Sequence, residues 1–178
     1  MGFLELLERI RCPALDFIFL WGTKLGEEIV FTFVILGTLW CLNKKMGFWM
    51  FFAWGAGTGL NQLLKVICKI PRPWLRDVSF KAVDAALPAA TGYSFPSGHT
   101  QSAFGLFASL ALFIKKRAVA IMAVVLITVT GLSRMYLGVH TPEDVFGAVA
   151  IGLTVLFVMA RFIKIEEKKP WITWVACA

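Results

Sequence analysis

Three long apolar runs without charge, Met46 to Leu64, Ala118 to Ser133 and Val145 to Ala160, dominate the chain and alternate with short basic clusters. A water-soluble fold of 178 residues could hardly bury such runs, whereas they approach the ~20 residues that cross a hydrocarbon layer of about 30 Å. With two further apolar stretches they predict spanning helices at 26–42, 46–69, 97–114, 118–136 and 142–163. The fold class expected is therefore all-α: a polytopic transmembrane bundle of about five spans, forming a single membrane-embedded domain over 1–178. Several uncharged cores fall short of a full crossing, so Glu27, Lys65, Arg134 and Arg161 must lie within helices near their ends. Charge there is costly and normally faces the bundle interior, unlike Lys44, Lys45 or Lys115, which can snorkel to water.

At the N-terminus, Leu4, Leu7, Ile10, Leu15 and Ile18 approximate a helical stripe, which predicts one interfacial helix over 1–22 ended by Trp21 and Gly22. Acidic Glu5 and Glu8 precede Arg9 and Arg11, unlike a cleavable signal peptide. Residues 164–178 read as a basic and then apolar tail, its end from Pro170 too short to cross a bilayer. A sixth span is expected outside the sequence.

Composition agrees: 58% hydrophobic and 16% charged residues exclude disorder, a disulfide scaffold and an ordinary soluble domain. The net charge of +7 does not point to nucleic acid, because the basic residues form no continuous face or aromatic groove. Membrane lipids with anionic heads are the expected partner. Alternating the spans puts Lys44, Lys45, Lys115, Lys116, Arg117, Arg161, Lys164, Lys168 and Lys169 on one side, which predicts that side as cytoplasmic. Cys12, Cys41, Cys68 and Cys177 form no Cys-x-x-Cys pair and read as core or lipid-facing fillers. Gly55 and Gly59, four apart in a span, read as a close helix-packing motif. Asn61 and Gln62 read as structural, and Tyr93 as a lining residue of a lipid groove.

The chemistry gathers at the ends of helices. Lys65 and Arg72 bracket the start of a long loop from Ile70 to Ser97, Pro96, Ser97, Gly98 and His99 close it, and Ser133, Arg134, His140 and Asp144 lie at the junction of the last two spans. All three segments fall on the same predicted side. Lys65, Arg72 and Arg134 would bring three positive charges, Ser97 a hydroxyl and Gly98 an accessible amide at a helix start: a phosphate pocket. The acids near it, Asp144 and Glu143, do not form the carboxylate set of a two-metal site, so no metal and no cofactor is expected. His140 is the candidate nucleophile, with Asp144 reaching back over the Thr141–Pro142 helix start to orient its other nitrogen. His99 is the candidate acid that protonates the leaving alcohol and later activates water.

The three segments resemble the signatures of the type 2 phosphatidic acid phosphatases, which share a pocket with vanadium-dependent haloperoxidases and glucose-6-phosphatase. Lys65 to Pro73, Pro96 to His99 and Ser133 to Asp144 match without departure at the fixed positions. The resemblance implies a helical membrane phosphatase that works through a phosphohistidine on His140, with His99 as acid and base and Lys65, Arg72, Ser97, Gly98 and Arg134 cradling phosphate. Relatives commonly have six spans, against five here. The expected substrate is a lipid phosphate or diphosphate of the isoprenyl diphosphate, phosphatidic acid or phosphatidylglycerol phosphate type, handled at the extracytoplasmic side of a bacterial plasma membrane. Two rivals stand beside this reading: a lipid phosphotransferase using the same intermediate, and an anion transporter, which would require internal repeats or broken helices in both halves. Taken singly, Thr141, Pro142 and Asp144 could be only a helix cap, and two histidines with Asp144 could ligate zinc. Three cations would repel that metal.

Overall fold

The computed structural model describes residues 2–168, and among them every regular element is helical. The order is α1 (Gly2–Arg9), α2 (Pro13–Lys24), α3 (Glu28–Gly37) continued by a π-turn (Thr38–Leu42), α4 (Lys44–Cys68), the single turn α5 (Pro73–Arg76), a 3₁₀ turn (Asp84–Ala86), α6 (Gly98–Ile114), α7 (Arg117–Tyr136) and α8 (Pro142–Lys168).

Local chemistry sets these boundaries. Asn43 caps α4 by accepting from the Met46 amide at 2.9 Å. Lys69 and Lys115, both with left-handed backbone (φ 49° and 54°), terminate α4 and α6. Pro142 opens α8 at a position where its missing N–H costs nothing. Helix α6 is the hub, packed against α4, α7 and α8. Its contact with α4 runs along Ala53, Gly57, Asn61 and Lys65, a buried ridge repeating every four residues. Trp49 and Ala53 of α4 interlock with Ile151, Val155 and Met159 of α8, and Phe31 and Ile35 of α3 with Met50 and Leu106.

The outward faces are apolar: Phe33, Leu42, Phe146 and Phe157 are all more than half exposed. Such surfaces belong in lipid rather than water. Helices α7 and α8 are each long and apolar enough to cross a membrane, and α2 with α3, bent by 41° at their break, makes a third crossing if taken as one span. The chain is thus an integral membrane helical bundle in which apolar length alone marks two to three of the five spans expected. The shortfall has a chemical cause. Helix α6 has only 17 residues, and α4 gives part of its length to Asn61, Gln62 and Lys65, which face a cavity.

Three expectations are corrected. The N-terminal segment is two helices instead of one, broken before Pro13, and α2 continues through Trp21 and Gly22 to Lys24. Gly22 does not end the helix because it serves close packing: a Cβ there would lie 3.2 Å from Val129. On α1 the inward residues are Leu4 and Leu7, packed with Phe80, Met135 and Val145, while Phe3 and Leu6, and Ile10 just beyond the helix, are exposed. Gly55 and Gly59 face open space, whereas Gly57, on the opposite side of α4, packs against Gln101. Cys12, Cys41 and Cys68 are free and exposed. Cys177 and the apolar tail from Pro170 lie outside the described residues.

The two ends of the bundle differ. At one, Glu166 of α8 accepts from Trp49 Nε1 at 3.1 Å and pairs with Lys45 at 3.2 Å, fastening the start of α4 to the end of α8. The other end gathers the close of α4, the 70–97 loop, the start of α6 and the α7–α8 junction.

Candidate active site

The loop from Ile70 to Ser97 is pinned over the α7–α8 junction. Ser94 N donates to Ile70 O at 2.8 Å, Ser97 N to Asp144 O at 3.0 Å and Val83 N to Leu137 O at 3.0 Å. Ala86 and Ala90 pack against Tyr136, Leu137 and Val139. The loop therefore arrives as a fixed wall, which lets its backbone carbonyls serve as ligands.

His140 stands in the short link between α7 and α8 and is 1% exposed. Its Nδ1 lies 3.3 Å from Asp144 Oδ2, and its Nε2 lies 2.9 Å from Arg72 NH1. The same Asp144 oxygen accepts from the Thr141 amide at 2.8 Å and the Ser94 hydroxyl at 2.5 Å. Held this way, the carboxylate orients the ring as a hydrogen-bond acceptor, leaving Nε2 as the nitrogen that faces Arg72.

Arg72 is 4% exposed and locked by carbonyls: NH1 donates to Val139 O at 2.9 Å, Nε to Gly92 O at 3.1 Å and NH2 to Thr91 O at 2.6 Å. Burial pushes its guanidinium down to about 10, with Asp144 pulling the other way, so it stays charged at neutral pH. His140 is held well below the ordinary imidazole value, chiefly by burial; the hydrogen bond to Asp144 opposes this, and the charges of Arg72 and Arg134 reinforce it. Its ring is neutral at pH 7, as a nucleophile must be.

Lys65 reaches from the last turn of α4 to Tyr93 O at 2.6 Å. Ser97 caps α6, its hydroxyl 2.9 Å from Thr100 Oγ1, and Gly98 is the first helical residue. Arg134 is fully buried; NH1 donates to Thr23 Oγ1 at 2.8 Å, while Nε and NH2 have no partner among the described residues. His99 Nε2 is likewise buried without a partner, and the charges acting on its ring are Arg134, Arg72 and Lys65.

A cavity of about 540 Å³ opens at this end, and Lys65, Arg72, Gly98, His99 and His140 all line it. Ser97, Arg134 and Asp144 are buried outside that lining. The eight residues expected from the sequence thus gather at one end, five on the cavity wall and three supporting it. What such an arrangement can do is hold an oxyanion among cations at a helix start, with an oriented imidazole and a second imidazole on the same cavity wall.

Sequence reasoning missed several participants. Ser94 and Thr23 stand in no motif spacing, and the carbonyls of Thr91, Gly92 and Tyr93 belong to residues whose side-chain type is irrelevant to the contact. Asn61 and Gln62, read as structural, line the cavity, as do Gly26, Glu27 and Glu28 from the α2–α3 link. Gly26 is required by close approach, since a Cβ there would come within 2.5 Å of the His99 carbonyl oxygen.

The sequence model of the PAP2 superfamily matches residues 46–168. Phosphatidylglycerophosphatase B of Bacillus subtilis (strain 168) is 31% identical over 166 residues, covering 86% of this chain and 77% of that protein. The undecaprenyl-diphosphatase BcrC of the same organism is 32% identical over 107 residues, and the match spans 60% of this chain and only 52% of that relative. Among solved structures, a transmembrane PAP2-type phosphatidylglycerolphosphate phosphatase from Bacillus subtilis superposes with a TM-score of 0.80 at 28% identity, covering 92% of this chain and 83% of that one. LpxE from Aquifex aeolicus superposes with a TM-score of 0.77 at 27% identity, covering 90% and 93%.

Proposed function

Since the chain belongs to the PAP2 superfamily, we propose that it is a membrane phosphatase that releases phosphate from a lipid phosphate through a covalent phosphohistidine on His140, without a metal or cofactor. The observation that carries this reading is the setting of His140: Nδ1 faces a carboxylate that already accepts two other hydrogen bonds, and Nε2 faces a cationic cavity.

In the first step Nε2 attacks phosphorus, the bond from phosphorus to the ester oxygen breaks, and protonated His99 gives its proton to the departing alkoxide. In the second, His99 takes a proton from water, whose oxygen attacks phosphorus and breaks the P–N bond. Inorganic phosphate leaves and neutral His140 is restored. Lys65, Arg72, Arg134, the Ser97 hydroxyl and the Gly98 amide hold the phosphoryl oxygens, so their charge is stabilised as the transition state spreads it. Asp144 keeps the Nδ1 proton in place and stabilises the cationic ring while phosphorus is attached.

The single domain crosses the bilayer five times in this reading. The basic end at Lys44, Lys45, Lys115 and Arg117 lies in the cytoplasm, and the cavity opens at the extracytoplasmic side of a bacterial plasma membrane. Curated relatives named as phosphatidylglycerophosphatase and undecaprenyl-diphosphatase support a lipid phosphate or diphosphate as substrate.

The test is trapping with a ³²P-labelled lipid phosphate, quenched in alkaline detergent because the P–N bond is lost in acid. Wild type and His99→Ala should carry label on protein, more persistently in the variant, and His140→Ala none. Label and turnover surviving in His140→Ala would remove the mechanism. Product analysis with added acceptor alcohol separates hydrolysis from phosphotransfer.

A further inference from the structure

Beyond the phosphate cradle, the cavity wall continues along α4 and α6 as a set of neutral hydrogen-bonding groups. Thr58 Oγ1, both amide atoms of Asn61 and both amide atoms of Gln101 are buried and have no hydrogen-bond partner among the described residues. Asn61 is 2% exposed and Gln101 1%, and all three residues line the cavity. An unpartnered buried amide is costly. Five such atoms on one wall call for an occupant rich in hydrogen-bonding groups.

The wall sits where the part of the substrate that departs would lie. Asn61 is one turn before Lys65 on the same buried ridge, and a Cβ on Gly98 would be 4.0 Å from Asn61 Oδ1. Gln101 lines the same cavity as His99, the candidate proton donor to the leaving oxygen. Gly57 allows the approach, since a side chain there would collide with the Gln101 amide.

Charge narrows the occupant. Lys65 and Arg72 bring the positive charge of the cavity wall, and the remaining charged lining is acidic, Glu27 and Glu28, with Glu27 paired to Lys24 at 3.2 Å. Neutral amides and carboxylates both suit hydroxyl groups, and the carboxylates repel a second phosphate.

Resting on the phosphatase reading, we propose that Thr58, Asn61 and Gln101 form a leaving-group subsite that selects phosphate monoesters of hydroxyl-bearing alcohols, such as a glycerol carbon chain, over deoxy analogues and over diphosphates.

The experiment compares phosphate release by the full chain in detergent from 1-acylglycerol 3-phosphate and from 3-acyloxypropyl phosphate, which lacks only the free hydroxyl. An isoprenyl diphosphate serves as a third substrate. Wild type should show kcat/KM at least about 10-fold higher for the hydroxylated monoester than for either other substrate, as expected when buried polar groups lose their partner. In Asn61→Leu and Gln101→Met the preference over the deoxy ester should shrink to within about threefold. Equal kcat/KM for the two monoesters in wild type, or a preference that survives both substitutions, overturns the subsite, and faster turnover of the diphosphate overturns its selectivity. Equal turnover leaves the phosphatase reading intact, whereas no release from any of the three substrates would remove that reading and the subsite with it.

Discussion

Arg72 NH1 lies 2.9 Å from His140 Nε2, the imidazole nitrogen that faces away from Asp144. One guanidinium therefore touches the candidate nucleophile while three loop and link carbonyls hold it in plane. In the proposed mechanism a phosphoryl group entering the cavity exchanges this contact for its own: NH1 turns to a phosphate oxygen, and Nε2 is released to attack phosphorus.

Arg72→Lys keeps the charge and loses the fork. A lysine cannot reach Thr91, Gly92, Val139 and His140 together, so both the loop wall and the nucleophile lose their anchor. Phosphate release should show kcat/KM lower by about 100-fold or more, with Tm in detergent also reduced, since buried carbonyls are left unpaired. Wild-type turnover in Arg72→Lys would mean that the fork plays no part.

Burial of neutral His140 makes stability depend on pH in a definite direction. Its folded-state value is depressed well below the ordinary 6.5, so between that depressed value and about 6.5 the unfolded chain binds a proton that the folded chain refuses. Stability contributed by this site is complete above about 6.5 and declines as pH falls through it. Tm measured in detergent from about pH 7.5 to 5 should decrease, and His140→Gln, with no group to titrate there, should show a shallower decline. An unchanged slope in that variant would place the titration elsewhere.

Ser94 carries a prediction that no motif suggests. Its hydroxyl donates to Asp144 Oδ2 at 2.5 Å, beside the Thr141 amide and the His140 ring. Ser94→Ala removes one of the three groups holding this carboxylate, and His140 should lose orientation while the phosphate cradle stays. A fall in kcat of about 10-fold with KM changed less than about twofold is expected. Ser94→Thr, which keeps the hydroxyl, should recover part of it. A defect in KM alone would place Ser94 with substrate binding instead.

How much of this was legible in the sequence follows from what each contact is made of. Lys65, Arg72, His99, Arg134, His140 and Asp144 could be read because their charge or titration is expensive inside a membrane and they cluster at helix ends on one predicted side. Helices α7 and α8 could be read because apolar length is a property of composition. The carbonyls of Thr91, Gly92 and Tyr93 leave no signature, because any residue has them. Ser94 and Thr23 are ordinary polar residues until the fold sets them beside Asp144 and Arg134. The break between α1 and α2 was obscured because a stripe through Leu4, Leu7, Ile10 and Leu15 keeps its phase across the interruption.

Vanadate should inhibit more strongly than inorganic phosphate. Both fit an oxyanion cradle formed by Lys65, Arg72 and Arg134, but vanadate also adopts the five-coordinate shape of phosphorus during attack, so it gains interactions realised only in the transition state. Competition assays should place its inhibition constant at least about 10-fold below that of phosphate. EDTA should leave turnover unchanged, since the pocket's charge stabilisation comes from fixed side chains. Loss of activity with EDTA and its return with added divalent ion would contradict the metal-independent step.

The glycines of α4 separate packing from mere spacing. Gly55 and Gly59 share a face, as a helix-packing pair should, yet both look into open space, while Gly57 meets Gln101. The buried ridge of α4 runs through Ala53, Gly57, Asn61 and Lys65, a phase fixed by Lys65 having to reach the cavity; a half-turn shift would point Lys65 into lipid. Gly55→Ala and Gly59→Ala should therefore be neutral or raise stability by up to about 1 kcal/mol, because alanine favours the helix and meets nothing. Gly57→Ala should cost about 1–3 kcal/mol by forcing the Gln101 amide aside, a rearrangement typical of overpacked cores. Unfolding of the three variants in detergent reads this directly, and destabilisation by Gly55→Ala equal to that by Gly57→Ala would mean that α4 presents a different face to α6.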